Sequence, residues 1–218
     1  MPGNRKYKSP GAFRQALEER LRTISSREGT DFQRLSRQVA FDRFLARLFS
    51  APTGDWILKG GYAMELRFVT ARSTRDLDFT LRGGSTESAL DHLQRAGALE
   101  IGDFFSFRVG EAMMDLSAAP YGGARYPVES RLDGRTLVRF HIDVGIGDAI
   151  LEPIEIMTTR DWLAFAEIAS PSVMMIAREQ QFAEKIHAYT LPRSSPNSRA
   201  PSAALELREP LFSRLDYH

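Results

Sequence analysis

The sequence predicts an α+β domain with a pair of helices at its N-terminus. Three observations favour this class: apolar residues recur at helical spacing over residues 1–50, a strand–turn–helix–strand pattern follows, and strand-like runs dominate from residue 104 onward. Hydrophobic residues make up 43% of the 218 residues and charged residues 26%, values typical of globular proteins. The chain is therefore long enough and apolar enough to bury a sizeable core.

Two helices are predicted in residues 1–50. Ser9 followed by Pro10 is typical of an N-cap and a first helical position, and Gly29 is typical of a helix stop. A second helix is expected after Asp31 and should end before Ala51. The apolar residues that recur at helical spacing in the first helix are Phe13, Leu17, Leu21 and Ile24.

The next segment predicts a strand, a helix, a second strand and a second helix. Residues 56–59 form a short apolar run that stops at Gly60 and Gly61, and a short helix is expected over residues 62–68. Residues 75–81 alternate polar and apolar side chains, which is typical of a half-buried strand. Ser85 is the expected N-cap of a helix that extends to about residue 96.

The second half of the sequence predicts mainly strands. They are expected over residues 104–109, 112–116 and 137–144, with turns at residues 121–123 and 133–134. Helices are predicted over residues 161–168 and 172–189. The longer helix is expected to bury a stripe of Phe182, Ile186 and Tyr189.

Composition divides the chain into three parts. Residues 1–50 are predicted to be basic N-terminal helices packed on the core, and residues 51–191 the core itself. Residues 192–218 are predicted to be an irregular tail, because residues 192–202 are rich in Pro, Ser, Asn and Arg. The tail resembles the product of a truncation or a frameshift.

The net charge of +1 conceals an asymmetry. Residues 1–50 carry eleven Lys and Arg against five Asp and Glu, so the remainder of the chain is acidic. This indicates either a basic face for a polyanion or ordinary solvated arginines on two helices. The absence of cysteine excludes a disulfide framework and a thiol nucleophile. No apolar run matches a membrane span or a signal peptide, so we expect a cytoplasmic protein without a membrane partner.

The strongest candidates for chemistry are acidic residues on predicted strands. Asp76 and Asp78 lie at i and i+2, so both carboxylates project from one face, roughly 7 Å apart. Their mutual repulsion favours a bound cation, and a site with so few carboxylates suits Mg²⁺. Asp143 lies on another strand and could complete a metal triad or act as general base. Asp115 and Asp148 are weaker candidates for that third position.

Two further motifs point to a triphosphate. Gly60-Gly61 lies between a buried strand and a helix, where the backbone can approach a phosphate closely. Lys185 lies at the edge of the predicted apolar stripe, from which its ammonium could reach a triphosphate. A phosphate cradle beside a magnesium dyad is what the handling of a nucleoside triphosphate (NTP) requires.

These motifs occur in a recognisable order. The sequence reads Trp-Ile-Leu-Lys-Gly-Gly-Tyr-Ala-Met-Glu-Leu over residues 56–66 and Arg-Ser-Thr-Arg-Asp-Leu-Asp-Phe over residues 72–79. It continues with Ile-Asp-Val-Gly-Ile-Gly-Asp over residues 142–148 and Phe-Ala-Glu-Lys-Ile-His-Ala over residues 182–188. In these four motifs the chain resembles the AbiEii/AbiGii nucleotidyltransferase toxins of the DNA polymerase β-like superfamily.

The resemblance implies a polymerase-β-like nucleotidyltransferase core, with a mixed β-sheet flanked by helices. It implies Mg²⁺ on Asp76 and Asp78, with Asp143 beside them, and a functional role for Lys185. It also implies that nucleotide binds at Gly60-Gly61 and at the neighbouring motif residues Lys59 and Thr74. Members of this family are toxins of toxin–antitoxin or phage-defence systems, and some relatives add nucleotides to the 3′ end of tRNA.

Two functions follow from this resemblance. The first is an Mg²⁺-dependent transferase that moves a nucleotide from an NTP to tRNA, with an antitoxin protein as partner. The second is a truncated, inactive remnant that binds only a nucleotide or an antitoxin. The second is considered because the Arg-x-Lys-Asp-x-x-Asp-Leu motif that usually follows in relatives has no match after residue 188.

Overall fold

Two capped helices open the computed structural model, which describes residues 6–50, 55–68, 72–115 and 122–190. α1 (Pro10–Glu28) begins after Ser9, whose hydroxyl accepts the N–H of Ala12 at 3.3 Å. α2 (Phe32–Leu48) begins after Asp31, whose carboxylate accepts the N–H of Arg34 at 2.8 Å. Both N-caps are the residues that the sequence predicts. The remaining elements follow in the order β1 (Trp56–Lys59), α3 (Gly60–Arg67), β2 (Asp76–Leu81), α4 (Thr86–Ala98), β3 (Phe105–Val109), β4 (Met114–Asp115), β5 (Gly123–Leu132), β6 (Arg135–Ile146), β7 (Glu155–Thr158), β8 (Ser172–Met175) and α5 (Arg178–Thr190).

One mixed sheet of eight strands organises the domain. Seven strands lie in the order β3-β5-β6-β2-β1-β8-β7, and β4 pairs with β5. The pairs β2–β6 and β1–β8 are parallel, and the others are antiparallel. β1, β2 and β6 are therefore neighbours at the centre of the sheet, and these strands carry the predicted motifs.

The N-terminal helices belong to the main hydrophobic core. Phe13, Leu17 and Leu21 of α1 are at most 1% exposed. On α2, the ring of Phe41 lies edge-on to Phe140 of β6, with 4.9 Å between the ring centroids. Because these side chains fill the core, α1 and α2 are integral to the fold and do not form a detachable arm.

A buried ion-pair cluster fixes α2 to the loop before β3. Arg43 donates to Asp103 at 2.7 Å, and Arg47 donates to both oxygens of the same carboxylate at 2.8 and 2.7 Å. Burial opposes ionisation of Asp103, but the two guanidinium groups hold its pKa below the ordinary value. Two of the eleven basic residues of the N-terminal segment are thus buried and paired, and they are not available to a partner.

Several sequence predictions of secondary structure are wrong. Residues 161–168 contain only a short 3-10 helix, Ala164–Ala166. Residues 172–175 are strand β8, which pairs with β1 and β7 and buries Val173 and Met175, and helix begins only at Arg178. β5 and β7 were not predicted at all. The errors at residues 161–168 and 172–175 share a cause, because short apolar runs fit a strand or a helix equally well until their neighbours are known.

Two compact units divide the chain, residues 1–181 and residues 182–218. In the second unit Phe182 is 42% exposed and Ile186 is 62% exposed, so the prediction of a buried stripe there is wrong. The side chain of Tyr189 and the whole predicted tail, 192–218, lie outside the described residues. No helix among the described residues is long and apolar enough to cross a membrane.

Candidate active site

The turn between β1 and α3 can be formed only by glycine. Gly60 has φ +65°, and a Cβ atom built there would overlap the carboxylate of Asp78. At Gly61 an added Cβ would lie 2.7 Å from the Cβ of Thr74. Both glycines are therefore required by the close approach of neighbouring chain segments, in addition to the φ value at the first of them.

A row of four charged residues crosses the centre of the sheet. Lys59 on β1 lies opposite Asp78 on β2, which lies opposite Asp143 on β6. Asp143 in turn lies opposite Arg125 on β5. Residues directly opposite one another share a face of the sheet, so two carboxylates are adjacent, with one cation on either side.

The carboxylate of Asp78 is the most strongly perturbed group in this row. Burial raises its pKa to about 6, although its oxygen Oδ2 accepts the backbone N–H of Gly61 at 3.2 Å. The negative charges of Asp143 and Asp76 raise this pKa further, while Lys59 lowers it. Perturbation of this kind, by burial and like charges in one cluster, is typical of a functional site.

Asp76 lies two residues earlier on the same face of β2. It faces His141, whose Nδ1 is 3.3 Å from Asp76 Oδ1. The hydroxyl of Thr74 donates to the backbone carbonyl of Asp76 at 3.4 Å. The structure therefore brings together Asp76, Asp78 and Asp143, the three acidic residues that the sequence singles out.

Arg125 is a site residue that the sequence analysis missed. Its Nε and one terminal nitrogen donate to the two oxygens of Asp143 at 2.7 and 2.6 Å. The same terminal nitrogen lies 3.7 Å from Asp76 Oδ2. Hydrogen bonding to Asp143 raises the pKa of Arg125 above its usual range. This residue lies on β5 (Gly123–Leu132), most of which falls between the two predicted turns and for which no element was predicted.

A second layer of contacts holds the loop before β2. Glu65 of α3 has a buried side chain and accepts hydrogen bonds from the backbone N–H of Thr74 and from Gln38, the latter at 2.7 Å. Arg34 also pairs with Glu65, at 3.1 Å. This buried carboxylate thereby ties α2 and α3 to Thr74, two residues before the first aspartate.

The loop also carries positive charge. Arg37 of α2 donates to Ser73 at 3.2 Å, and burial lowers its pKa below the ordinary value. The nearby charge of Arg75 lowers that pKa as well. A partly buried arginine beside a second arginine is a suitable neighbour for a phosphate group.

The diglycine turn is supported from both sides. Lys59 forms an ion pair with Asp148. Asp148, a weaker candidate for the third carboxylate of the site, is therefore engaged with a lysine. The side-chain amide of Gln181 donates to the backbone carbonyl of Gly60 at 2.8 Å. Asp115, the other rival, lies on β4, and its side chain is outside the described residues.

A comparison with protein families identifies the chain. The family described as nucleotidyl transferase AbiEii toxin, type IV toxin–antitoxin system, matches residues 43–201. The chain belongs to the AbiEii nucleotidyltransferase toxin family. The matched residues include the diglycine, the three aspartates and Lys185. The resemblance inferred from the four motifs is thus confirmed.

A solved structure shows the same fold. MenT4, a nucleotidyltransferase toxin of Mycobacterium tuberculosis, matches with a TM-score of 0.54 and 17% identity, over 72% of this chain and 53% of that one. JHP933 of Helicobacter pylori matches with a TM-score of 0.47 and 17% identity, over 72% and 57% respectively. The likeness to MenT4 confirms the predicted α+β nucleotidyltransferase fold. The AbiEii-family chain thus spans a little over half the length of these proteins. No curated protein matches it in sequence.

The carboxylates of this AbiEii-family chain fit a metal ion only in part. Among the described residues, no three His, Asp or Glu side chains are arranged to hold one. Asp143 is a weaker candidate for such a group, because both of its oxygens accept hydrogen bonds from the positively charged Arg125. Asp76 and Asp78 remain as a dyad on one strand face. Two carboxylates suit Mg²⁺, which normally completes its shell with water and substrate phosphates.

Lys185 lies on α5 in the second unit of the chain, whereas the three aspartates and the diglycine lie in the first. Its assignment to the nucleotide therefore stays a prediction. The same holds for the roles assigned to Lys59 and Thr74. Thr74 lies directly against Gly61, and Lys59 is paired with Asp148.

Proposed function

We propose that this AbiEii-family chain is an Mg²⁺-dependent transferase that moves a nucleotide from an NTP to the 3′ end of tRNA. The observation that supports this most is the hydrogen bond from Gly61 to Asp78. It joins the turn assigned to the triphosphate with the strand assigned to the metal. The proposal thus rests on a contact between two motifs that are seventeen residues apart in sequence.

Asp76 and Asp78 would hold the ion, and bound Mg²⁺ would neutralise the triphosphate and polarise its α-phosphate. The turn at residues 60–61 begins helix α3, and the backbone N–H groups of its first turn would be the donors to the phosphates. Lys185 would add a point charge to the triphosphate. The chain's contribution is then mainly positioning and charge neutralisation.

Asp143 is the proposed general base. It would accept the proton of the acceptor hydroxyl as that oxygen forms a bond to the α-phosphorus, and the bond to pyrophosphate would break on the opposite side. Asp143 is suitably placed, because it lies directly opposite Asp78 in the sheet. Its side chain is 15% exposed, so part of the carboxylate is accessible to an acceptor.

Positive charge supports a nucleic-acid acceptor. Arg37 and Arg75 flank the loop that leads to Asp76, and neither forms an ion pair with a described carboxylate. On α1, a shallow groove is lined in part by Arg22 and Arg27. We propose that these residues contact phosphates of the acceptor tRNA, which would place the protein's action in the cytoplasm.

The toxin family also supports a protein partner. We propose that a cognate antitoxin restrains the chain in a toxin–antitoxin or phage-defence system. Coexpression with the neighbouring gene product should relieve any growth arrest that the chain causes when it is expressed alone.

A transfer assay tests the proposed activity. Purified protein is incubated with total tRNA, Mg²⁺ and each α-labelled NTP in turn, with Asp78→Asn as a matched control of nearly identical shape. We expect label in tRNA with wild type, and none with the variant or after addition of EDTA. Wild-type protein that binds NTP but labels no acceptor would support the inactive remnant instead.

A further inference from the structure

Arg125 is bound to the acidic cluster more closely than any other cation in the described residues. Its guanidinium makes a two-pronged contact with Asp143, at 2.7 and 2.6 Å, and reaches within 3.7 Å of Asp76. The β5–β6 register places it directly across from Asp143. Parallel N–H···O bonds of this kind are the strongest form of arginine–carboxylate contact.

The contact of Arg125 supplies a positive charge beside the three carboxylates of the acidic cluster. Three carboxylates lie together on β2 and β6, and Asp78 and Asp143 are direct neighbours across the strands. The cation at the other end of the row, Lys59, is engaged with Asp148. Arg125 is therefore the cation that balances Asp143 and Asp76.

The same contact occupies the groups that the proposed reaction needs. A carboxylate that accepts two hydrogen bonds from one guanidinium keeps a second lone pair on each oxygen, but the adjacent positive charge opposes the binding of a metal ion there. A divalent cation on Asp76 would also lie within a few ångströms of the guanidinium and repel it. The side chain of Arg125 is 31% exposed, so it has a route to solvent.

We infer that Arg125 is a positioning residue that acts as a resident counter-cation, competes with the divalent metal for the acidic cluster, and releases Asp143 when the metal binds. This inference rests on the proposed function insofar as Asp76 and Asp78 are the metal-binding dyad. Two states follow. Without metal, Arg125 donates hydrogen bonds to both oxygens of Asp143. With metal, Arg125 turns away and Asp143 is free to act as a base.

Metal binding without any nucleotide tests the inference. Mn²⁺ serves as the probe, and the free ion is quantified by electron paramagnetic resonance during titration of wild type and Arg125→Gln. We expect the Kd for Mn²⁺ to fall about tenfold or more in Arg125→Gln, because one nearby positive charge is removed. Arg125→Lys keeps the charge but loses the fork, so its Kd should fall by a smaller factor.

Arg139→Gln is the matched control. Arg139 lies on β6, four residues before Asp143, and pairs with Glu129, but its side chain is 75% exposed. Its removal changes the net charge equally and should leave the Kd within about twofold of wild type, since exposed charges are screened. The double variant Arg125→Gln, Asp78→Asn should lose the tight binding, which would assign the ion to the dyad.

The outcomes separate this inference from the proposed function. An unchanged or higher Kd in both Arg125→Gln and Arg125→Lys, with folding verified by circular dichroism, would overturn the inference even if wild type transfers nucleotide. A fall in Kd that is larger for Arg125→Gln than for Arg125→Lys would support it even if no acceptor is ever labelled. Failure of every variant to bind Mn²⁺ at millimolar concentration would also overturn it.

Discussion

The backbone N–H of Gly61 donates a hydrogen bond to Asp78 Oδ2 at 3.2 Å. The two residues are seventeen positions apart, and they meet because β1 and β2 are antiparallel neighbours with Lys59 opposite Asp78. A substitution in the turn is therefore felt directly at the acidic strand. The turn and the strand therefore behave as one unit.

Gly60→Ala should destabilise the fold and abolish transfer. The residue has φ +65°, which costs an alanine roughly 1 kcal/mol, and the new methyl group would overlap the carboxylate of Asp78. Gly29→Ala is the matched control, because Gly29 has φ +64° and no atom within 4 Å of an added Cβ. It should show the backbone cost alone in urea unfolding and keep full activity. Equal losses of stability in the two variants would contradict the steric argument.

Asp78→Asn should abolish transfer and leave the protein at least as stable as wild type at pH 8. Burial raises the folded pKa of Asp78 to about 6, so the folded state binds the proton more tightly than the unfolded chain does. Wild-type stability should therefore fall as the pH rises from about 4 to about 6, and the asparagine variant should lack that fall, of roughly 1–2 kcal/mol. Urea unfolding at pH 5 and 8 measures this.

Asp76→Asn should also abolish transfer, because it removes the other half of the dyad. Its fold should survive, since the side chain of Asp76 is 29% exposed. Circular dichroism and the tRNA-labelling assay check both statements. Unchanged turnover in either Asn variant would remove the assignment of the metal to this strand.

The sequence was sufficient to predict the acidic face but not its cation. Asp76 and Asp78 share a face because side chains alternate along a strand, which is a local property. Arg125 reaches Asp143 only through a register irregularity: Leu132 pairs with Arg135, but beyond Ser130 the register is shifted by one residue. An unbroken hairpin would place Arg125 opposite Ile142 and thus on the other face. No local pattern indicates such a shift, and a proline such as Pro127 is uncommon within a paired strand.

The basic N-terminal segment shows a similar limit. A count of charges treats all eleven cations alike, whereas Arg43 and Arg47 are sealed around Asp103. A buried arginine cannot be distinguished from a solvated one in the sequence, because the difference depends on the partner that each contacts in the folded structure. The positive face available to a partner is therefore smaller than the composition indicates.

Lys185→Ala should weaken NTP binding more than it changes stability. A lysine contributes a point charge to a phosphate, and Lys185→Arg should largely restore affinity because it keeps that charge. Isothermal titration with each NTP, in the presence of Ca²⁺ to prevent turnover, gives the Kd, and thermal unfolding gives the stability. Equal NTP affinity in wild type and Lys185→Ala would leave this residue without a role at the triphosphate.

Binding of tRNA should depend on exposed arginines of α1. Deletion of this helix is not an informative test, because Phe13, Leu17 and Leu21 would leave the core. The double variant Arg22→Gln, Arg27→Gln should instead reduce the slope of log K against log salt by about two. Arg95→Gln on α4 is the matched control: the side chains of Arg22, Arg27 and Arg95 are 67%, 68% and 69% exposed, and each pairs with a nearby carboxylate. A slope that changes equally in control and double variant would contradict a specific basic face.

Asp42 should make the fold less stable as the pH rises towards 7. It is buried on α2, where it accepts a hydrogen bond from the hydroxyl of Tyr62 at 2.6 Å, and burial raises its pKa to about 7. The folded state therefore retains a proton that the unfolded chain loses near pH 4, so stability falls between about pH 4 and 7.

Asp42→Asn keeps an acceptor for Tyr62 but has no charge to bury. Between pH 6 and 7, above the pKa of Asp78, wild type should lose roughly 1 kcal/mol that Asp42→Asn retains, as measured by urea unfolding at the two pH values. Parallel stability curves for the two proteins across this interval would show that Asp42 is already ionised in the folded state at pH 6.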